Sequence, residues 1–125
     1  MTPSVSVITT VRNRERFLEA AVKSVRAQTF GDFEHILFDD GSDDRSLEVA
    51  RRLASEDQRV RVVASEHVGV VRALKSAHEH ARAPLVCWLD SDDLLVSTAI
   101  EETHGVLARR PDIGLVFTDH VLIDE

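Results

Sequence analysis

Five short apolar runs rich in β-branched residues alternate along the chain with four longer stretches in which apolar residues recur every three or four positions. The two periods belong to different backbones. Short β-branched runs suit strands, whereas the longer spacing lays one apolar face along a helix. The strands are expected at Val5–Thr9 ("VSVIT"), His35–Phe38 ("HILF"), Val60–Ala64 ("VRVVA"), Leu85–Leu89 and Ile113–Thr118 ("IGLVFT"). The first helix, capped by Asn13, carries Phe17, Leu18, Ala21, Val22 and Val25 and gives out near Gly31. The second, capped by Asp43 or Asp44, puts Leu47, Ala50, Leu53 and Ala54 on one face. The third runs from about Gly69 to Arg82 and buries Val70, Leu74, Ala77 and Ala81, with Pro84 separating it from the next strand. The fourth, capped by Ser97 or Thr98, carries Ile100, Val106 and Leu107.

Strand and helix in alternation imply an α/β fold: a Rossmann-like, mostly parallel sheet with helices on both faces. The 125 residues contain no repeat, low-complexity tract or linker, so residues 1–125 are read as one domain's worth of chain. No apolar run approaches the roughly 18 to 20 residues of a membrane-spanning helix. "MTPSVSVITT" has no basic region followed by a long apolar core, so no secretory signal is expected. The one cysteine, Cys87, lies in an apolar run. It excludes an internal disulfide and fits a reducing, cytoplasmic setting, where a buried structural thiol is expected.

The net charge of −7 argues against a nucleic-acid partner. Its location is more informative. Asp39, Asp40, Asp43, Asp44, Asp90, Asp92 and Asp93 are seven of the 22 acids, and the remaining 15 balance 15 Lys plus Arg. The acidity is thus concentrated in two short clusters, one after the second strand ("DDGSDD") and one after the fourth ("VCWLDSDDLL"). In parallel sheets ligands bind outside the carboxyl ends of the strands, where the strand order reverses. Both clusters sit at that edge, and Thr9, Thr10 and Arg12 share it.

Carboxylates spaced i, i+2 past a strand end can reach one hard cation, and Mg²⁺ and Mn²⁺ favour such oxygen ligands. With a nucleoside diphosphate present, the ion would neutralise the leaving group. Asp92 or Asp93 alone equally suits a helix cap. A calcium loop of the EF-hand type fails, because its turn glycine would fall on Leu95 and a strand precedes the acids. "DDGSDD" reads either as an Asp-Gly turn before a capped helix or as an acceptor for the N3–H of a pyrimidine. Spacing does not choose. His78 and His80 are two apart on a helix and point to different faces, which disfavours a shared metal. His35, His67, His104 and His120 are isolated and read as surface or packing residues. Gly-rich phosphate loops, a Ser nucleophile elbow and a zinc-binding cysteine set are all absent from the sequence.

The segment "VSVITTVRNRERFLEAAVKSVRAQTFGDFEHILFDDGSDDRSLEVA" resembles the opening of the family 2 glycosyltransferases, which have the GT-A fold. That family shows a strand, a Thr/Pro-Tyr-Asn turn, a helix ending in Gln-Thr, and a strand ending in Asp-Asp-Gly-Ser. The counterparts are Thr9 to Asn13, Gln28-Thr29 and Asp39 to Ser42, and Asp90-Ser91-Asp92 looks like the family's Asp-X-Asp motif. These motifs, in order from Val5 to Asp93, make the resemblance specific.

The resemblance implies transfer of a sugar from a nucleotide-sugar donor, a UDP-sugar favoured, to an acceptor hydroxyl with inversion, assisted by Mn²⁺ or Mg²⁺. It implies that Thr10 and Asp40 hold the base, Asp40 as the partner of a uracil N3–H with Asp39 flanking it. Asp90 would lie near the ribose or sugar and the metal, Asp92 would be the main metal ligand, and Asp93 a further one. Arg12 stands where the family usually has Tyr, and its planar guanidinium can stack on a base. Leu74-Lys75 stands where the family often has Arg-Asn, so Lys75, or Arg72 one turn earlier, either meets phosphate or is a solvated surface residue. Family catalytic domains are longer. By resemblance the acceptor-binding half and the general base are expected downstream of Glu125, and membrane association only through segments other than these. Residues 1–125 are therefore expected to be the nucleotide-binding half, an excised piece or a truncated protein, binding nucleotide and metal with little or no transfer alone.

Two other classes compete. A non-catalytic binding or assembly module would keep the sheet without the chemistry. A receiver-type signalling domain needs an Asp pair after the first strand and a lone Asp after the third, where this chain has "TTVRN" and "VVASE".

Overall fold

A computed structural model describes residues 2–124. Four strands and four helices alternate as expected: β1 (Val5–Val11), α1 (Leu18–Arg26), β2 (Phe33–Asp40), α2 (Ser46–Glu56), β3 (Val60–Ser65), α3 (Val70–Glu79), β4 (Leu85–Trp88) and α4 (Ala99–Arg109). The strands form one sheet in the order β3-β2-β1-β4, parallel throughout. The chain steps outward from β1 to β3 and then returns to the other side of β1, so the strand order reverses between β1 and β4.

Alternation along the strands sorts the core into two layers. Val5, Val7 and Val11 of β1 and Phe33 and Leu37 of β2 pack under α1, α2 and α4 with Val22, Leu53 and Ile100. Ile8, Ile36 and Phe38 face the opposite way, against Ala73 and Ala77 of α3. The small side chains of α3 bring that helix close to the sheet.

The fifth expected strand does not form. Residues 113–118 follow α4 as irregular chain, with Leu115 and Phe117 exposed. A β-branched run specifies a backbone able to pair, but pairing needs a free ladder edge and a face to bury, and these residues take up neither. Two caps also differ. Asn13 does not cap α1; it adopts a left-handed conformation (φ 53°) and its side chain turns toward the loop after β2. The Thr98 side chain makes no cap bond to α4. Asp44 does bond at the start of α2, accepting from the Ser46 N–H at 2.9 Å. No helix among the described residues is long and apolar enough to cross a membrane.

Glu34 and His35 are among the polar residues buried inside the sheet. Glu34 is 2% exposed and accepts from the Ser6 hydroxyl (2.6 Å), the Arg82 backbone N–H and Nε (2.8 Å each) and Arg61 Nη2 (2.9 Å). Burial pushes its carboxyl up, but these donors outweigh it and hold the group below the usual range. His35 is fully buried, with Nε2 2.8 Å from the Thr9 hydroxyl. Burial drives its imidazole down from 6.5 to about 3, against a smaller opposing effect of Asp57.

His35 therefore stays neutral in the folded protein while the unfolded chain takes up a proton below about pH 6.5. Stability is expected to fall as pH drops through that window, by up to about 1.4 kcal/mol per pH unit for one proton. Urea denaturation between pH 6.5 and 5, above the range where carboxylates dominate, reads this slope. His35→Gln is expected to flatten it, and an unchanged slope would remove His35 as its source.

Candidate functional site

The carboxyl ends of the strands carry a cleft of about 220 Å³ lined by Thr10, Arg12, Asp40, His67, Val70 and Ala73. Strand parity explains why Thr10 and Asp40 line it. Thr10 and Asp40 share the α3 face with Ile8 and Phe38, whereas Asp39, one residue earlier, points to the other face. Asp39 is buried there, accepts from the Ser42 N–H at 3.1 Å, and has no hydrogen-bond partner at Oδ1 among the described residues. The two adjacent carboxylates thus have different surroundings.

Asp40 is nearly as buried, and three donors converge on it. His67 Nδ1 lies 2.9 Å from Oδ2, the Val68 N–H donates to Oδ1 at 2.7 Å, and the Gly69 N–H donates to Oδ2 at 3.1 Å. The loop from β3 to α3 is thereby fastened to the end of β2. It lies directly on Gly41, whose φ is +68° and where an added Cβ would come within 2.6 Å of the His67 nitrogen. Only glycine suits both the conformation and the approach. Arg12 closes the other side, donating from Nη1 to the carbonyls of Asp40 (3.1 Å) and Gly41 (2.7 Å) and pairing through Nη2 with Asp43 (3.1 Å). Lys75 is exposed on α3 and does not line the cleft.

Asn13 completes the turn after β2. Its Oδ1 accepts from the Asp43 and Asp44 N–H groups (2.8 and 3.4 Å), and its own N–H donates to the Ser42 hydroxyl. The aspartate-rich turn is therefore ordered by backbone donors and by Arg12, which offsets the repulsion among its acids.

The second cluster lies past β4. Asp90, Asp92 and Asp93 are exposed, and each offers a carboxylate oxygen within 4.8 Å of the others, while Ser91 between them is buried. Burial, then the charges of Asp90 and Asp92, push the Asp93 carboxyl above its usual range, with His120 opposing. Arg14, in the loop after β1, sits 3.6 Å from Asp92. Oxygens on one Mg²⁺-type ion are held at about 2.0–2.1 Å from it. The three donors, within 4.8 Å of one another, are oxygen-only and repel one another, so the set fits a hard divalent cation once side-chain rotations draw the oxygens together.

What holds this loop was not assigned from the sequence. Gln28, buried after α1, donates from Nε2 to the Val96 carbonyl (2.7 Å) and accepts the Ile100 N–H at Oε1 (3.0 Å), thereby capping α4 from a distant helix. The Thr29 N–H donates to the Ser97 carbonyl, and the Ser24 hydroxyl accepts the Leu95 N–H. The Gln-Thr pair was visible as a motif, but its partners are some 70 positions away. His67 was likewise read as an isolated surface or packing residue; it lies in the cleft, bonded to Asp40.

Known proteins share this fold. The family model described as glycosyl transferase family 2 matches residues 6–122. The uncharacterized glycosyltransferase EpsJ of Bacillus subtilis is 36% identical over 101 residues, which is 81% of this chain and 29% of that protein. S. aureus TarS 1–349, solved in complex with UDP-GlcNAc, superposes with a TM-score of 0.80 at 23% identity over 89% of this chain and 32% of that one. The mannosyltransferase PcManGT from Pyrobaculum calidifontis, solved with GDP-Man and Mn²⁺, gives a TM-score of 0.69 at 26% identity over 75% of this chain and 29% of that one. The chain thus spans about three-tenths of the length of that curated relative.

Two measurements test the geometry. Asp90→Asn removes one like charge, so the Asp93 carboxyl is expected to titrate lower than in the parent, by NMR; no change would remove Asp90 as a cause and leave burial and Asp92. Gln28→Ala removes both bonds to the 95–100 segment and is expected to cost about 1–3 kcal/mol. Amide exchange should quicken at Leu95–Ile100 while β1 and β2 keep their protection, and uniform quickening would deny Gln28 a local role.

Proposed function

The chain belongs to glycosyl transferase family 2, and from that premise we propose that it forms the donor-binding half of a metal-assisted, inverting glycosyltransferase whose donor is a UDP-sugar. The observation that carries this reading is the pairing of two unlike sites at one sheet edge. One is a small cleft ending in a buried carboxylate acceptor, and the other is a set of three mutually repelling carboxylates beside the strand-order reversal. A nucleoside suits the first and a diphosphate with its cation the second. TarS and PcManGT, of the same fold, were solved with UDP-GlcNAc and with GDP-Man plus Mn²⁺ respectively, which supports a nucleotide-sugar donor and a divalent ion here.

In this reading Asp40 accepts the N3–H of the uracil ring. A carboxylate has about four acceptor positions, and the protein fills three of them, leaving one for the base. Thr10 and Arg12 line the same cleft beside it. Asp39 serves indirectly, through the turn that carries Gly41 and Ser42. Asp90, Asp92 and Asp93 would hold Mn²⁺ or Mg²⁺, which when bound supplies positive charge against a departing diphosphate. Arg14 then faces Asp92 from the neighbouring loop and limits the net negative charge that an incoming diphosphate meets. Lys75 has no assigned contact in this scheme. The general base that would deprotonate the acceptor hydroxyl, and the acceptor site itself, are assigned to parts of the protein outside these residues.

Calorimetric titration with UDP is the test. Binding is expected to strengthen with Mn²⁺, and Asp92→Ala is expected to abolish that enhancement while retaining the weaker metal-free binding. Metal-independent binding, or an Asp92→Ala protein indistinguishable from the parent, would overturn the metal part of the proposal. Absence of UDP binding under all conditions would overturn the donor assignment.

A further inference from the structure

Resting on the donor reading above, we infer that His67 is a specificity-determining residue of the nucleoside cleft, orienting Asp40 and presenting its ring edge to the base or ribose.

The argument begins with the carboxylate. Asp40 is 4% exposed, so its one remaining acceptor direction is useful only if the group is held in a single rotation. The backbone N–H groups of Val68 and Gly69, in the same loop as His67, each donate to one oxygen. The His67 ring supplies the one side-chain bond, from Nδ1 to Oδ2 at 2.9 Å. The loop itself cannot shift toward β2, because its backbone already lies on Gly41 at a separation that excludes a Cβ. The His67 backbone is therefore held against Gly41, and its imidazole is bonded at Nδ1. Its Nε2 makes no hydrogen bond among the described residues, and its side chain is 55% exposed where it lines the cleft.

The chemistry follows from the tautomer. An imidazole that donates from Nδ1 to a carboxylate leaves Nε2 as an acceptor in its neutral form. An acceptor beside Asp40 matches a ligand that offers two donors, an imide N–H and a ribose hydroxyl. Uridine offers both. Cytidine presents an acceptor at N3 where uridine presents a donor, and so meets the Asp40 oxygen unfavourably. Arg12, tied to the carbonyls of Asp40 and Gly41, lines the same cleft. His67 is distinct in this respect from His78 and His80, which are exposed on or next to α3 and do not line the cleft.

The experiment titrates the chain with UDP, CDP and inorganic pyrophosphate, each with Mn²⁺, using the parent, His67→Ala and His67→Asn. Asn keeps an N–H donor near the Nδ1 position and loses Nε2. The parent is expected to prefer UDP to CDP. His67→Ala is expected to weaken UDP binding by about tenfold, the effect of losing one hydrogen bond, and, by freeing Asp40 to rotate, to narrow the UDP-to-CDP ratio. Pyrophosphate binding is expected to be unchanged, and His67→Asn is expected to restore most of the ratio. Unaltered UDP affinity in His67→Ala overturns the inference and leaves the donor reading standing. An equal loss for UDP, CDP and pyrophosphate also overturns it, by showing a general structural role. A parent that binds neither nucleotide overturns the donor reading and the inference with it.

Discussion

The ladder hydrogen bonds that β1 makes on both of its edges set the positions of every group at the site. β2 lies on one side in seven-residue register, from Val5 opposite Phe33 to Val11 opposite Asp39, and β4 lies on the other, from Val5 opposite Leu85 to Ile8 opposite Trp88. Because the strands are parallel, all carboxyl ends emerge at one edge. Because the connections diverge on either side of β1, a gap opens there that no single crossover fills. The loops after β1, β2 and β4 meet around that gap. Slipping β2 by one residue would exchange Asp39 for Asp40 in the cleft and turn Ile36 and Phe38 away from α3. The buried faces forbid it.

Charge is arranged around the same frame. Aspartates cluster where two strands end, and basic groups drawn from the loop after β1 meet both clusters: Arg12 on the turn after β2, Arg14 on the loop after β4. At the opposite end of the sheet, Glu34 is held ionised by Ser6, Arg61 and Arg82, a closed network with its donors in place. The contrast is informative. Glu34 is fully satisfied by protein groups and tightens the strand starts. The Asp93 carboxyl is raised by burial and by its own neighbours, and among the described residues the ion pair of its cluster is the longer one from Arg14 to Asp92 at 3.6 Å.

Much of the fold was legible because it rests on local periodicity. Val5 and Val7, or Leu18, Ala21, Val22 and Val25, announce their buried faces by spacing alone, whereas β1 runs on to Val11, beyond the expected end at Thr9. The run at Ile113–Thr118 shows the limit of that signal, since nothing in a segment states whether an edge is available to pair with it. Capping showed the same limit. Asn13 and Thr98 have side chains suited to local caps, yet Asn13 bonds to a loop about 30 positions away and α4 is capped by Gln28 instead. Local chemistry proposes partners, and long-range packing selects among them.

The site divides in the same way. The acidic clusters and their placement at strand ends were written in the chain, since composition and the order of elements suffice to put Asp40 and Asp90 to Asp93 at one edge. Tertiary structure alone decided that Asp39 and Asp40 face opposite layers, that Lys75 stands outside the cleft, and that His67 stands inside it. The reason is physical. A side chain's direction follows from strand parity and sheet register, and its neighbours follow from which loops the packed helices bring together. Both are set by contacts between residues far apart in the sequence.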